Sequence, residues 1–230
     1  MKTSQEEATV FAATRKESAH VAGVRPRDAA SILLIDRSSN TPKVLMGRRG
    51  RGHVFMPDLY VFPGGRRDPR DHALPYRRDL HPLVIEKLMA GSRSGMGVKG
   101  ARALALAAIR ELCEETGAAI IDAPAADLST LRYVARAITP PGNVRRFDTR
   151  FFLGFCDEMS LDLSNLGASS ELVDLRWLDM TDLSSLNMPL ITRTVLSEVK
   201  ELMAANPSPS FGSPVPFYSA RHGQLVRTRL

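Results

Sequence analysis

With 230 residues, 43% of them hydrophobic and 24% charged, the chain fits one globular domain, or one domain with an elaborate insertion. The net charge of +6 is compatible with nucleic acid, a membrane surface or a polyanionic small molecule as partner, and composition does not choose among them. The chain has two cysteines, Cys113 and Cys156, which argues against a disulfide framework. It has neither a signal-like N-terminus nor a run of about 18 apolar residues. We therefore expect a soluble cytoplasmic protein without a membrane partner.

The chain begins with a polar arm and continues with short apolar runs of strand length. Residues 1–25 are weakly patterned, which predicts a flexible N-terminal arm. The apolar runs at 29–36 and 43–49 flank a turn-forming segment and predict a β-hairpin. A short strand at 59–62 then leads into Pro63-Gly64-Gly65, where the backbone can turn sharply and approach a ligand closely.

A long polar stretch and a strong helix follow this turn. Residues 66–99 are mostly polar, and residues 81–90 within them are compatible with a short helix. The segment from Ala101 to Thr116 is rich in Ala, Leu, Arg and Glu, which are strong helix formers, and Gly117 is a natural place for the helix to stop.

The second half of the chain adds strands and a second main helix. Strands are expected at 131–138, 147–156 and 171–178, an amphipathic helix at 191–205, and a final strand near 224–228. These elements predict a mixed sheet with two main helices, in an α+β or α/β layering.

Three carboxylates near the end of the strong helix carry the chemical information. At roughly 100° per residue, Glu111, Glu114 and Glu115 fall on one helical face. They repel one another, and they sit at the C-terminus, where the helix dipole disfavours negative charge. Both penalties suggest a compensating cation, and hard oxygen ligands suit Mg²⁺ or Mn²⁺. A solvated glutamate face is the alternative interpretation of this segment alone.

The segment from Arg110 to Gly117, together with the Gly-Gly turn, resembles the signature of the Nudix hydrolases. In that family a glycine, five residues, a glutamate and seven residues precede an Arg-Glu-x-x-Glu-Glu-x-Gly segment. Arg110 to Gly117 match the second half at every specified position. In the first half, Gly65 is followed after five residues by Asp71 in place of glutamate, and 38 residues instead of seven separate Asp71 from Arg110.

The resemblance implies a Nudix fold, an α/β/α sandwich with a mixed β-sheet between helices, formed by a single domain over residues 26–230. About residues 72–100 would form an insertion in the signature loop. A subfamily that includes peroxisomal coenzyme A diphosphatases is similar in this insertion and in an Arg-Phe-Asp-Thr-Arg-Phe-Phe segment, which is found here at residues 146–152.

The resemblance also implies roles for individual residues. Glu111, Glu114 and Glu115 would bind Mg²⁺ or Mn²⁺, with the carbonyl of Gly65 as a further ligand, and Arg110 would hold one of the glutamates. These four side chains are the expected catalytic set.

Further candidates lie outside the helix. Glu171 or Asp71 is a possible additional base, although a solvated turn residue is an alternative for Glu171 and a loop-orienting role for Asp71. Substrate contacts are expected from a glycine and from arginines suited to phosphate, namely Gly64, Arg48, Arg49, Arg146 and Arg150, with a solvated basic surface as the alternative for many of the arginines.

The implied function is the metal-dependent hydrolysis of a pyrophosphate bond in a nucleoside diphosphate linked to another moiety. Coenzyme A or acyl-CoA is the first expected substrate, and ADP-ribose or another dinucleotide is the alternative. A second alternative is a non-catalytic Nudix-fold ligand sensor, although such proteins typically lose helix carboxylates that are present here. No aromatic-basic motif indicates nucleic acid, and a homodimer formed through the insertion remains open.

Overall fold

The computed structural model describes residues 24–50, 52, 57–90, 95–121, 125–183, 185–221 and 224–230. The predicted N-terminal arm, residues 1–25, lies almost entirely outside the described residues. The helices are α1 (Pro82–Ala90), α2 (Val98–Thr116) and α3 (Leu190–Ala205). The strands are β1 (Arg27–Asp36), β2 (Lys43–Arg49), β3 (Tyr60–Val61), β4 (Gly64–Arg66), β5 (Tyr76–Arg78), β6 (Ala119–Ile120), β7 (Ala126–Asp127), β8 (Arg132–Ile138), β9 (Phe147–Phe155), β10 (Leu161–Asp162), β11 (Leu172–Asp179), β12 (Pro216–Arg221) and β13 (Gln224–Arg229).

Strand β1 lies at the centre of a mixed sheet. Within the described residues, this sheet runs in the order β11-β2-β1-β9-β8-β12-β13, with β3 added to β2 and β4 added to β1. Strands β1 and β9 are parallel over nine residue pairs, from Arg27↔Phe147 to Ile35↔Phe155. The central strand is an almost continuous apolar run because it is buried on both faces of the sheet.

Helices cover both faces of this sheet, which confirms the predicted α/β/α sandwich. Side chains of β1 alternate between two hydrophobic clusters, as a period of two residues requires. Ile32 and Leu34 pack in the cluster that includes α1 and α2, whereas Leu33 and Ile35 pack in the cluster that includes α3. Among the described residues there are three α-helices: the two main ones that were predicted and the short helix α1, which lies within the 81–90 segment that was compatible with a helix and packs against α2.

Helix α2 ends where the sequence predicted. Gly117 adopts a left-handed conformation with φ of 76°, and its amide donates to the carbonyl of Cys113 at 3.0 Å. A Cβ atom at this position would lie 2.7 Å from the carbonyl oxygen of Asn165, so glycine is required on steric grounds as well. Gly117 therefore ends the helix directly after its three carboxylates.

Two strands of the main sheet, β4 and β12, were not predicted from the sequence. Strand β4 pairs with the first half of β1, with Ser31 opposite Gly64 and Ala30 opposite Gly65. Strand β12 extends the far side of the sheet by parallel pairing with β8. Within the described part of the chain, no helix is long and apolar enough to cross a membrane.

Candidate active site

The three glutamates of α2 differ in their exposure. Glu115 is buried, with 5% of its surface exposed, whereas Glu111 is half-buried and Glu114 is exposed. This gradient follows from the position of α2 on the sheet, since the helix packs one flank against β1 and β4. The three carboxylates at the end of α2 therefore range from buried, at Glu115, to exposed, at Glu114.

The Gly-Gly turn brings the backbone against these carboxylates. The carbonyl of Pro63 accepts hydrogen bonds from the Ile32 amide and the Ser31 hydroxyl, each at 2.9 Å, which fixes the turn on β1. The amide of Gly64 then donates to Oε2 of Glu115 at 2.8 Å. A Cβ atom on Gly65 would lie 2.4 Å from Cδ of Glu111, so only glycine lets this carboxylate lie against the strand.

Arg110 joins the two halves of the split signature. Its Nε donates to Oδ1 of Asp71 at 2.7 Å, and its Nη1 donates to Glu111 and Glu114, each at 2.9 Å. Although burial opposes its charge, these hydrogen bonds and the nearby carboxylates raise the pKa of Arg110, which keeps it cationic. The side chains of Asp71 and Arg110 thus meet although 38 residues separate them in the sequence.

Asp71 is enclosed by Arg110 and by the backbone of its own turn. It is fully buried in a short 3-10 helix, Pro69–His72, and its Oδ2 accepts from the Asp68 amide at 2.6 Å and from Nη2 of Arg110 at 3.2 Å. Both carboxylate oxygens are therefore engaged and shielded from solvent. This placement does not fit the possible role of Asp71 as a base, because a base must reach the reacting water.

The carboxylates interact strongly because the site is partly buried. Burial raises the pKa of Glu115 to about 8 and outweighs the lowering effects of the Gly64 amide and Arg49, while Glu111 and Glu171 add smaller upward contributions. Burial also raises the pKa of Glu111, despite the opposing effect of Arg110. Ionising both groups without a cation is therefore unfavourable, and a bound cation would relieve that cost.

The donor set fits a hard divalent cation, although its side chains are engaged in other contacts. Glutamate oxygens are the ligands that Mg²⁺ and Mn²⁺ prefer. Among the described residues, no three His, Cys, Asp or Glu side chains already stand as a metal-binding group. Glu111 and Glu114 hydrogen-bond Arg110, and Glu115 hydrogen-bonds Gly64, so a bound cation would replace some of these contacts.

An open cleft of about 500 Å³ lies beside the carboxylates. Glu111 and Glu114 line it together with the Gly64-Gly65 turn, whereas Glu115 lies behind them. Four arginines also line the cleft, namely Arg49, Arg66, Arg70 and Arg145, in addition to Arg110. A volume of this size suits a nucleotide-sized ligand, and the arginines suit anionic groups.

Of the arginines that were expected to contact substrate, some lie at the cleft and others do not. Arg49 lines the cleft. The side chain of Arg48 pairs with Asp58, and Arg146 donates to the backbone carbonyls of Thr139 and Val24. Neither is among the residues that line the cleft.

Arg150 is also placed away from the cleft. Only 2% of its surface is exposed, and its Nη1 pairs with Asp28 at 2.7 Å and with Asp148 at 3.3 Å. A guanidinium that is this buried and lies outside the cleft is not accessible to a ligand there. The expected substrate contacts from Arg48, Arg146 and Arg150 therefore do not fit this geometry.

Glu171, the other possible base, lies at the mouth of the cleft. It directly precedes β11, its side chain is exposed, and its backbone carbonyl accepts from the Gly50 amide at 3.1 Å. Its charge makes a small contribution to the raised pKa values of Glu111 and Glu115, and it lines the same cleft as Glu111.

Sequence reasoning missed several residues of the cleft. Arg66 and Arg70 follow the Gly-Gly turn, and their charge was visible in the sequence but their direction was not. Thr149 of β9 and Thr192 of α3 also line the cleft, and no sequence motif marks them. These threonines line the cleft because one face of β9 and the start of α3 meet there, and tertiary packing determines that arrangement.

Comparisons with known proteins bear on the overall fold. A Nudix hydrolase from Alicyclobacillus acidocaldarius is 26% identical, with 80% of this chain and 94% of that chain covered and a TM-score of 0.58. The Nudix domain of Shewanella oneidensis NrtR, solved with ADP ribose, is 13% identical, with 77% and 88% covered and a TM-score of 0.47. A MutT Nudix hydrolase from Burkholderia pseudomallei is 17% identical, with 76% and 99% covered and a TM-score of 0.46. Because the TM-scores of these last two structures are below 0.5, neither supports an argument about this chain. No family model and no curated protein matches the sequence.

Proposed function

Because this chain has the fold of a Nudix hydrolase, we propose that it is a divalent-metal-dependent pyrophosphohydrolase that cleaves a nucleoside diphosphate linked to another moiety. The observation that supports this most is the convergence of Glu111, Glu115 and the Gly64-Gly65 turn at the wall of a nucleotide-sized cleft. The retained carboxylates favour an enzyme over a non-catalytic ligand sensor.

Glu111, Glu114 and Glu115 are the residues that would hold the cations, with the carbonyl of Gly65 as a further ligand. Bound there, Mg²⁺ or Mn²⁺ supplies charge neutralisation of the diphosphate and a lowered pKa for a bound water. Arg110 orients Glu111 and Glu114 through its two 2.9 Å hydrogen bonds. Asp71 holds Arg110 in turn, so both act on the carboxylates and not on the substrate.

Other residues at the cleft surface would bind the diphosphate and activate the attacking water. Arg49 and Arg145 line the cleft, where they would contact the diphosphate oxygens. We assign the general base to Glu171, because it is exposed at the cleft that Glu111 also lines. A water activated there attacks one phosphorus in line and expels the other phosphate.

For the substrate we propose coenzyme A or an acyl-CoA, with ADP-ribose or another dinucleotide as the alternative. The split signature and the 146–152 segment support this choice through their resemblance to coenzyme A diphosphatases. Arg66 and Arg70 add positive charge where the inserted segment begins, which would suit a further phosphate on the substrate.

A hydrolysis screen tests the proposal. Purified protein is incubated with Mg²⁺ or Mn²⁺ and with coenzyme A, acyl-CoA, ADP-ribose, NADH or a nucleoside triphosphate, and nucleotide products are separated by chromatography. We expect metal-dependent cleavage of at least one diphosphate, which a chelator abolishes.

Matched variants identify the site. Glu115→Gln should lower kcat by at least about a hundredfold, whereas Glu201→Gln, on the exposed surface of α3, should retain wild-type turnover. Hydrolysis of none of these compounds, or undiminished turnover by Glu115→Gln, would contradict the proposed function.

A further inference from the structure

The segment at residues 146–152 has two faces, and the proposed chemistry involves only one of them. Every second residue of β9 from Phe147 to Phe151 lines the cleft. The alternation of a strand directs the residues between them, Asp148 and Arg150, to the other face of the sheet. Arg150 is almost fully buried there, so this half of the segment has protein groups as its partners.

One carboxylate, that of Asp28 near the start of β1, is shared by two arginines. Its Oδ1 accepts from Nη1 of Arg150 at 2.7 Å, and its Oδ2 accepts from Nη2 of Arg67 at 3.0 Å. Arg150 lies on β9 and Arg67 directly follows β4, so Asp28 joins three neighbouring strands. Although burial opposes its charge, Arg150 and Arg67 hold the pKa of Asp28 below its ordinary value, which keeps it ionised.

Asp148 extends this network of charges to β8. Its carboxylate accepts two hydrogen bonds from Arg136, at 2.7 and 2.6 Å, and lies 3.3 Å from Nη1 of Arg150. Arg136 is buried as deeply as Arg150. Three arginines and two aspartates therefore connect β4, β1, β9 and β8.

The network is not built for stability alone. Three buried side-chain nitrogen or oxygen atoms of the described residues have no hydrogen-bond partner, and two of them are Nε of Arg67 and Nε of Arg150. A buried donor without a partner is destabilising. Apolar side chains of similar volume often stabilise a protein as well as a buried ion pair does. The charged groups on either side of Asp28 therefore point to a role in the geometry that they impose.

Strand β4 depends on such anchoring because it has only three residues, and two of them are glycines with little preference for a strand. Just before its start, the carbonyl of Pro63 accepts from the Ser31 hydroxyl at 2.9 Å. Just after its end, Arg67 is held by Asp28 twice, through an amide-to-carbonyl hydrogen bond at 2.9 Å and through the ion pair at 3.0 Å. The strand is thereby fixed to β1 at both ends.

The position of β4 in turn determines its contacts with α2. The Gly64 amide donates to Glu115 at 2.8 Å. Gly65 lies so close to Glu111 that a Cβ atom on it would be 2.4 Å from Cδ of that side chain. A small shift of β4 along or away from β1 would lengthen the first contact and disturb the second.

We propose that Asp28 is a positioning residue of the active site, which holds β4 through Arg67 and so places the Gly64 amide and the Gly65 carbonyl at the carboxylates of α2. Arg150 fixes Asp28 from the other side. This inference rests on the proposed function for the role of those carboxylates in binding a cation. It also gives the Asp148 and Arg150 positions of the 146–152 segment a task that does not involve contact with substrate.

Two readouts test the inference without relying on turnover. Amide hydrogen exchange of Gly64, followed by NMR in the metal-free protein, reports on its hydrogen bond to Glu115, and Mn²⁺ titration reports on cation affinity. Asp28→Asn removes the charge and retains the volume of the side chain. We expect Gly64 to exchange roughly tenfold faster and Mn²⁺ affinity to fall roughly tenfold. Asp28→Glu retains the carboxylate and should show smaller changes in both.

Asp127→Asn is the matched control. Asp127 is also a buried carboxylate and accepts from Nε of Arg78 at 2.7 Å, but it belongs to β7 and does not line the cleft. This variant should lose stability in urea denaturation much as Asp28→Asn does, while Gly64 exchange and Mn²⁺ affinity stay within about twofold of wild type. A merely structural role for Asp28 predicts instead that the two asparagine variants behave alike in both readouts.

Arg67→Gln provides a second test that applies even if Asp28→Asn does not fold. It removes the link from Asp28 to β4 and leaves the buried pair of Asp28 with Arg150 in place. It should therefore change both readouts in the same direction as Asp28→Asn. Arg37→Gln breaks the ion pair of a similarly exposed arginine with Asp157, elsewhere in the protein, and should leave both readouts as in wild type.

The outcomes separate this inference from the proposed function. If Gly64 exchanges at the wild-type rate in Arg67→Gln and in every folded Asp28 variant, the inference is wrong even where hydrolysis is observed. Wild-type Mn²⁺ affinity in these variants would overturn it as well. If the wild-type protein binds no Mn²⁺ and cleaves no diphosphate, the proposed function fails, whereas faster Gly64 exchange in Asp28→Asn and Arg67→Gln, but not in the two controls, would still support the positioning of β4 by Asp28.

Discussion

Glu115 links the stability of the metal-free protein to pH. Its pKa of about 8 in the folded state compares with an ordinary value of 4.5, because the carboxyl is buried and lies near Glu111 and Glu171. A carboxyl with a raised folded pKa stabilises the protein below the unfolded pKa, and this contribution is lost as pH rises through the folded pKa. Between pH 4.5 and pH 7 the loss amounts to roughly 3 kcal/mol, at about 1.36 kcal/mol per pH unit.

The substitution Glu115→Gln isolates this effect. The glutamine oxygen can still accept from the Gly64 amide, but the side chain no longer ionises. Relative to wild type, the metal-free variant should gain roughly 3 kcal/mol on going from pH 4.5 to pH 7. In a domain of this size that corresponds to a relative rise in Tm of roughly 6 to 12 °C.

Urea denaturation in the presence of a chelator measures the difference at each pH. Glu114→Gln is the matched control, since it removes an exposed carboxylate from the same helix and should change stability by less than about 1 kcal/mol at either pH. Added Mg²⁺ should reduce the pH dependence of wild type, because the cation favours the ionised carboxylates. Parallel stability curves for wild type and Glu115→Gln would refute the account of Glu115 as a buried carboxyl that must ionise.

Two further substitutions test the residues that hold the carboxylates of the site in place. Gly65→Ala introduces a Cβ atom 2.4 Å from Cδ of Glu111, so we expect metal affinity to fall roughly 10- to 100-fold while the fold persists, as measured by Mn²⁺ titration. Gly52→Ala, which meets no atom within 4 Å, should bind metal as wild type does, and equal affinities in the two variants would contradict the close approach. Asp71→Asn weakens the buried pair with Arg110 and should cost about 3 kcal/mol in urea denaturation, whereas a cost below about 1 kcal/mol would show that the pair is not needed for stability.

Local patterns in the sequence predicted much of the fold. The alternation and length of apolar runs indicated β1, β2, β8, β9 and β11, and helix propensity with the Gly117 stop indicated α2. These elements follow from residues that are close in sequence. The split signature includes both Asp71 and Arg110, but their contact was not predicted, because it depends on how the inserted segment folds back on α2.

Features that depend on tertiary packing were not predictable in the same way. A buried arginine such as Arg150 and a cleft arginine such as Arg49 look alike in sequence, and only the partners Asp28 and Asp148 distinguish them. Strand β4 was missed because its three residues, two of them glycines, carry no strand propensity and are held by pairing with β1. Thr192 was missed as a cleft residue because its place there depends on where α3 begins relative to the cleft.

The packing of α1 makes the inserted segment part of the hydrophobic core. Val84 and Leu88 of α1 are almost fully buried in the same cluster as Leu104 of α2. A variant shortened to the spacing of the uninterrupted signature would expose leucine and alanine side chains on the helix that carries the carboxylates. Removal of the inserted segment would therefore also require polar residues at these positions of α2.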